Sequence, residues 1–132
     1  MDQGRLTYFD AFTSIGPWLD KHPAQPWRLS DLVDEMRHCS IAGALVCHRL
    51  SVSYDAMEGN RRLCSEIAGH DGLYPLWNVM PHHAGDFPKP EPLLEEMAVH
   101  DVRAVTLHPR SNEWDLLAEG SKPLLQALER RR

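Results

Sequence analysis

The stretch Ile41–Cys47, IAGALVC, is apolar throughout and carries no charged side chain. A continuous apolar run of this kind is typical of a parallel strand that is covered by helices on one face and by a core on the other. Three more strand-like runs begin near Leu6, Leu73 and Val102. Helical patterns fill the gaps, so a run starts about every thirty residues, which is the spacing of parallel βαβ units. The sequence therefore predicts an α/β fold with four parallel βα units.

The strands and helices can be bounded approximately from these patterns. The predicted strands span residues 6–12, 41–47, 73–80 and 102–107. Helices are predicted to begin near Ser30, Asp55, Pro90 and Pro123, each followed by apolar residues at helical spacing. Asp55 with Glu58 fits a capping box, and a Pro-rich loop is expected between the first strand and the first helix, over residues 17–26. Because no low-complexity linker interrupts the pattern, residues 1–132 are expected to form one domain.

Composition limits the class of protein. The net charge is −5 and the isoelectric point is about 5.9, which predicts no binding to nucleic acid or to acidic membranes. No apolar run approaches the roughly 20 residues that span a bilayer, and the first residues, MDQGR, lack the pattern of a signal peptide. The three cysteines, Cys39, Cys47 and Cys64, lack metal-binding spacing and are expected to be buried free thiols. We expect a cytoplasmic protein.

Several segments, taken in order, resemble one family. The segments are YFDAFTSIG (8–16), GALVCH (43–48), Tyr54-Asp55 with Gly59-Asn60, LWNVMP (76–81) and VRAVTLHP (102–109). Together they resemble the amidohydrolase-related, predicted metal-dependent hydrolases. The resemblance extends from Tyr8 to the end of the chain and covers only the first half of the family's (βα)8 TIM barrel. It implies a half barrel, with functional residues at the carboxyl ends of the strands.

The resemblance also implies where a metal would bind. In the family the first strand ends in His-x-His, two ligands that face the same way because they are two residues apart. Phe12 and Ser14 occupy those positions here. Phenylalanine cannot bind a metal, and a neutral serine hydroxyl is a poor substitute for imidazole. The family's other ligands and its catalytic aspartate come from later strands, so a divalent metal such as zinc would lack a complete centre in this chain.

The candidate site residues lie at or just beyond the predicted strand ends. They are Ser14, His48, Asn78, His82 and His108. Such a cluster at one mouth of the sheet could bind a metal or polarise a ligand. The alternative is that the histidines are exposed or form only local hydrogen bonds. Asp55 and Glu58 could act as paired acids, but the helix cap already accounts for them.

Two functions remain open from the sequence. The leading interpretation is a divergent or truncated amidohydrolase-like protein, related to metal-dependent hydrolases but without a complete metal centre. The alternative is a non-catalytic half-barrel module that binds a small molecule or a partner. A half barrel exposes two sheet edges and an apolar inner face. We therefore expect it to associate with itself or to require a missing barrel half.

Overall fold

The computed structural model describes residues 4–17 and 26–131, so most of the loop predicted over 17–26 lies outside the described residues. The strands are β1 (Tyr8–Ile15), β2 (Ile41–His48), β3 (Leu73–Asn78) and β4 (Ala104–Thr106). The helices are α1 (Leu29–His38), α2 (Leu50–Ser53), α3 (Ala56–Ile67), α4 (Pro90–Val99) and α5 (Lys122–Arg130). Short 3-10 turns occupy His82–Ala84 and Glu119–Ser121. The alternation of strands and helices predicted from the sequence is confirmed.

The strands form one sheet in the order β1-β2-β3-β4, and every neighbouring pair is parallel. β2 runs beside β1 over its whole length, from Tyr8 opposite Ile41 to Ile15 opposite His48. The sheet curls into half of a barrel. This confirms the prediction of an α/β fold with four parallel βα units resembling half of a TIM barrel.

β3 changes partner in its middle. Leu73–Pro75 pairs with β2, whereas Leu76–Asn78 pairs with β4. Backbone polar groups of a strand point alternately to its two neighbours, and the Gly72 carbonyl accepts from Ala44 on the β2 side. The position at which Pro75 lacks an N–H therefore points towards β4. Pairing with β4 begins only at Leu76, so the proline interrupts no hydrogen bond of the sheet.

Aromatic contacts show how strongly the sheet curls. The rings of Phe9 and Tyr74 lie 6.1 Å apart across β2, and those of Phe12 and His108 lie 6.3 Å apart. The second distance is the informative one, because Phe12 belongs to β1 and His108 follows β4. The backbones of the first and fourth strands of a flat sheet would lie about 14 Å apart. Gly43 makes room for this curvature, because a Cβ there would lie 2.9 Å from the Phe9 ring. We call the inward surface that carries Phe9, Phe12 and Tyr74 the concave face.

The hydrophobic core lies on the other side of the sheet, under the helices. Trp77, Val46, Leu63 and Leu93 are fully buried there, and the Trp77 indole N–H donates to the Cys64 Sγ of α3 at 3.3 Å. Cys47 is buried as predicted, but the prediction for Cys39 is wrong: this thiol is exposed at the end of α1, and Cys64 is only half-buried. None of the helices in the described ranges is long and apolar enough to cross a membrane.

Element boundaries differ from the predictions at two helices. The carboxylate of Asp55 accepts from the Glu58 N–H at 2.8 Å, which confirms Asp55 as the N-cap of α3. The reciprocal bond of the predicted capping box is not formed, because the Asp55 N–H donates to the Leu50 carbonyl at 3.1 Å. By contrast, α1 is capped from Arg28 and not from Ser30, because the Asp31 carboxylate accepts the Arg28 N–H at 3.0 Å. The four-residue helix α2 was not predicted.

Candidate functional site

Three asparagines lie at the carboxyl ends of the strands and form what we call the amide cluster: Asn60 on α3, Asn78 at the end of β3 and the half-buried Asn112 after β4. Asn60 and Asn78 are almost completely buried. The cluster joins α3, which follows β2, to the end of β3 and to the loop after β4. It therefore links three consecutive βα units at the mouth of the half barrel.

Asn60 takes the place of a neighbouring strand. Its Oδ1 accepts the Asn78 backbone N–H at 3.0 Å, and its Nδ2 donates to the Asn78 backbone carbonyl at 2.9 Å. The Val79 N–H donates to Thr106 on the β4 side, so the polar groups of Asn78 face the β2 side. Pairing between β2 and β3 has already ended at Pro75. The side-chain amide thus continues the ladder with the same donor and acceptor that a peptide group would supply.

The side chain of Asn78 extends the cluster towards the mouth. Its Nδ2 donates to the Ser51 carbonyl at 2.8 Å and to the Asn112 Oδ1 at 3.0 Å, and Asn112 in turn donates to the Val52 carbonyl at 3.1 Å. The Asn78 Oδ1 is buried and accepts no hydrogen bond from the described residues. Chemically, this oxygen can accept an N–H or O–H group from a ligand or from water.

His48 is turned away from the mouth, into the helix layer. Only 2% of its side chain is exposed, and its Nε2 lies 3.5 Å from the Glu66 Oε1. Its Nδ1 accepts the Leu50 N–H at 3.1 Å, which assigns the proton of the neutral ring to Nε2. Gly16, at a φ of 100°, packs against the ring, since a Cβ there would lie 2.7 Å from it.

The environment of His48 disfavours its charged form. Burial lowers its pKa, and Arg62 and Arg49 act in the same direction, whereas Glu66 opposes the shift. Because the pKa in the folded state is below the unfolded value of about 6.5, the unfolded chain binds more protons once the pH falls below that value. Stability is therefore lost as the pH decreases from about 6.5 towards the folded pKa.

We expect the free energy of unfolding to decrease between pH 7.5 and pH 5 by up to about 1.4 kcal/mol per pH unit from this group. Urea unfolding at several pH values measures it. His48→Gln should reduce the slope, while His70→Gln, at an exposed position, should leave it unchanged. His108, whose pKa burial also lowers, acts in the same direction. Equal slopes for the wild type and His48→Gln would contradict the assignment.

The other candidates have separate surroundings. Ser14 Oγ accepts from the Arg49 Nε at 3.1 Å, and Arg49 also donates to the Gly16 carbonyl at 2.9 Å. The His108 ring shares a hydrogen bond with the Thr106 hydroxyl at 3.2 Å and lies beside Phe12. His82 lies in the 3-10 turn after β3, with its ring edge-on to His83. Among the described residues, no side-chain hydrogen bond joins any two of the five candidates.

The donor groups do not fit a zinc ion. Across residues 4–17 and 26–131, no three His, Cys, Asp or Glu side chains converge to form a metal site. Phe12 and Ser14, the positions that the resemblance assigns to metal ligands, supply no imidazole. The Phe12 ring lies tilted beside the His108 ring, and the Ser14 hydroxyl accepts from Arg49. Asp10, the acid before these positions, accepts the Phe12 N–H at 3.0 Å and so braces an irregularity in β1.

An open groove lies beside α1, outside the free edge of β1. Its volume is about 610 Å³. Thr13 and Ser14 line it from the strand, and Asp31, Asp34 and Glu35 line it from the helix. Arg28, His38 and Arg49 line it as well, and Asp34 pairs with Arg37 at 3.4 Å, so the lining carries charges of both signs.

Asn60 and Asn112 are the site residues that the sequence reasoning missed. A signal existed for Asn60, because it lies three residues before Leu63 and seven before Ile67, on the apolar stripe of α3. A buried polar residue on such a stripe indicates a specific hydrogen-bond partner. Asn112 carries no comparable signal, since it lies in a loop.

Comparison with models of protein families, with curated proteins and with solved structures found no match to this chain.

Proposed function

We propose that this chain is an amidohydrolase-like half barrel that works as a binding module. Its concave face and its two edge strands take up a second set of βα units, and the mouth becomes a complete site only in that assembly. The observation that carries the proposal is the exposure of large apolar side chains on the inner surface of a curled sheet.

The concave face exposes large aromatic side chains of the kind that usually lie in a protein core. Phe9, Phe12 and Tyr74 are 57%, 55% and 52% exposed, although they belong to strands of the central sheet. Ring contacts join Phe9 to Tyr74 and Phe12 to His108, which places two aromatic pairs on the same inner surface. Exposed apolar patches of this kind mark surfaces that bind a partner.

The edges of the sheet support the same role. Within the described residues, β1 pairs only with β2, and β4 pairs only with β3. Each therefore presents backbone N–H and C=O groups on its outer side that another strand can pair with. In a complete barrel both edges disappear, and the inner side chains fill the interior in layers.

The hydrolase part of the proposal rests on the resemblance alone. The second half would have to supply metal ligands, because the groups at this mouth do not form a centre by themselves. This half contributes a rigid mouth, set by the amide cluster, and one buried acceptor, the Asn78 Oδ1.

Sedimentation velocity over a range of concentrations tests the binding role. We expect the wild-type protein to associate, and Phe12→Asp to weaken the association by about 100-fold or more, because it buries a charge in an apolar interface. Val99→Asp serves as the matched control, since Val99 is 80% exposed at the end of α4 in the helix layer. A wild-type monomer at all concentrations, or an assembly indifferent to Phe12→Asp, would overturn the proposal.

A further inference from the structure

We infer that His48 is a pH switch: protonation of its ring releases the first residue of α2 and loosens the mouth. The ring holds the start of α2 through one hydrogen bond, and the following residues of α2 hold the amide cluster through two more. The switch requires no second set of βα units, so it stands apart from the proposed function.

The neutral ring of His48 fixes the first residue of α2. Its Nδ1 accepts the Leu50 N–H at 3.1 Å, and Leu50 is the residue at which α2 begins. A protonated imidazole carries a hydrogen on both nitrogens and has no acceptor left. Protonation therefore replaces this hydrogen bond with two N–H groups that point at each other.

The charges around the ring favour its contact with α3 over its contact with α2. From α3, the Glu66 Oε1 lies 3.5 Å from the ring Nε2 and also accepts from the Arg62 Nε at 3.0 Å. Arg49 is the charged neighbour from the end of β2, and the segment after β1 presents only the uncharged Gly16. A charged ring is attracted to Glu66 and repelled by the first N–H of α2. Protonation thus strengthens the contact with one helix and breaks the contact with the other.

The hydrogen bonds of α2 transmit the change to the mouth. Ser51 and Val52 follow Leu50 directly. The Ser51 carbonyl accepts from the Asn78 Nδ2 at 2.8 Å, and the Val52 carbonyl accepts from the Asn112 Nδ2 at 3.1 Å. The Ser51 hydroxyl donates to the last backbone carbonyl of β2 at 2.6 Å whatever the charge of the ring. We therefore expect α2 to be displaced without unfolding, which weakens both bonds to the amide cluster.

The direction of the response follows from the burial of the ring. Because burial lowers the pKa of His48, the neutral ring persists at neutral pH and the charged ring accumulates only below about pH 6.5. The mouth is therefore intact near neutral pH and loosened in acid. In the acidic state the side-chain amides of Asn78 and Asn112 are free to donate to other acceptors, such as those of a ligand.

An NMR titration of the wild-type protein from pH 7.5 to pH 5 tests the switch. We expect the side-chain NH2 resonances of Asn78 and Asn112 to shift with the same midpoint as the His48 ring. Protection of the Leu50 N–H against hydrogen exchange, corrected for the intrinsic effect of pH, should fall by about tenfold or more. The Leu63 N–H, in the middle of α3, should stay protected, because the fold as a whole remains intact.

Two variants assign the response to His48. His48→Asn supplies an acceptor that does not titrate, since an asparagine side chain can accept the N–H two residues on, and should abolish the shifts. His108→Gln removes the histidine after β4 and should retain them.

Four results would overturn the switch. They are a His48 ring that stays neutral down to pH 5, asparagine resonances that stay still while that ring titrates, shifts that persist in His48→Asn, and loss of protection at Leu63 together with Leu50. The last result would mean that acid unfolds the whole protein. If His48→Asn does not fold, the comparison of midpoints in the wild type and in His108→Gln decides.

Discussion

Replacing Asn60 with alanine is expected to reduce the free energy of unfolding by about 2–5 kcal/mol, the largest loss that we predict for a single substitution. The side chain lies on α3, away from solvent, and both of its polar atoms bond to the backbone of Asn78. Truncation removes both bonds and leaves the Asn78 N–H and C=O buried without partners.

The size of this effect follows from the position of Asn78. A buried donor or acceptor that loses its partner costs about 1–3 kcal/mol, and here two are affected. Water cannot replace the amide easily, because Asn78 is itself completely buried. The higher helix propensity of alanine returns only about 0.6 kcal/mol.

Urea unfolding of Asn60→Ala beside Ser65→Ala measures the loss. Ser65 lies on the same helix but is exposed, and its hydroxyl bonds only to the preceding turn at 3.4 Å, so its replacement should change stability by less than about 0.5 kcal/mol. If Asn60→Ala behaved like Ser65→Ala, the amide would not be the partner that continues the strand ladder.

The fold could be predicted because the helix layer covers one face of the sheet. Residues of β2 that face this layer, such as Ala44 and Val46, are fully buried, and their apolar character is visible in the sequence. The same physics explains the error at β1, predicted over 6–12 and found at Tyr8–Ile15. Thr13 and Ser14 belong to the strand, but they border an open groove instead of a core, so no apolar pattern marks them.

The site was harder to predict, because the side of the sheet to which a side chain points depends on its position in the alternation along the strand. His48 was expected at the mouth, but residues of a strand alternate between its faces. Since Ala44 and Val46 face the helices, His48 does so as well. Its Nε2 lies 3.5 Å from the Glu66 carboxylate of α3. The partners of Asn78 lie 18 and 34 residues away along the chain. No local pattern specifies such pairs, which depend on how α3 and the loop after β4 pack.

Gly59→Ala is expected to reduce the free energy of unfolding by about 2–3 kcal/mol, although it replaces the poorer helix former with the better one. A Cβ at Gly59 would lie 2.5 Å from the Ser51 Cα and 2.7 Å from the Ser51 Cβ. The obstacle is mainly the backbone of α2, which no rotamer change can move aside.

The informative result is whether Gly59→Ala lowers or raises the free energy of unfolding. In an open helix position, exchanging glycine for alanine would stabilise the protein by about 1 kcal/mol; here the two helices must separate instead. Gly85→Ala is the control, because nothing lies within 4 Å of a Cβ at that position and its φ of 161° suits any residue. Thermal or urea unfolding that showed Gly59→Ala to be as stable as the wild type would contradict the close packing of α2 on α3.

The same close contact determines the mouth, so the effect should reach beyond stability. The Ser51 carbonyl accepts from the Asn78 Nδ2 at 2.8 Å, and the Val52 carbonyl accepts from Asn112. If α2 moves away from α3, both acceptors move with it, and the amide cluster loses its connection to α2. We therefore expect the side-chain NH2 resonances of Asn78 and Asn112 to shift in NMR spectra of Gly59→Ala and not in those of Gly85→Ala. Glycine at position 59 is thus required because the loop after β2 must pack directly on α3 for the carboxyl ends of β2, β3 and β4 to form one rigid mouth.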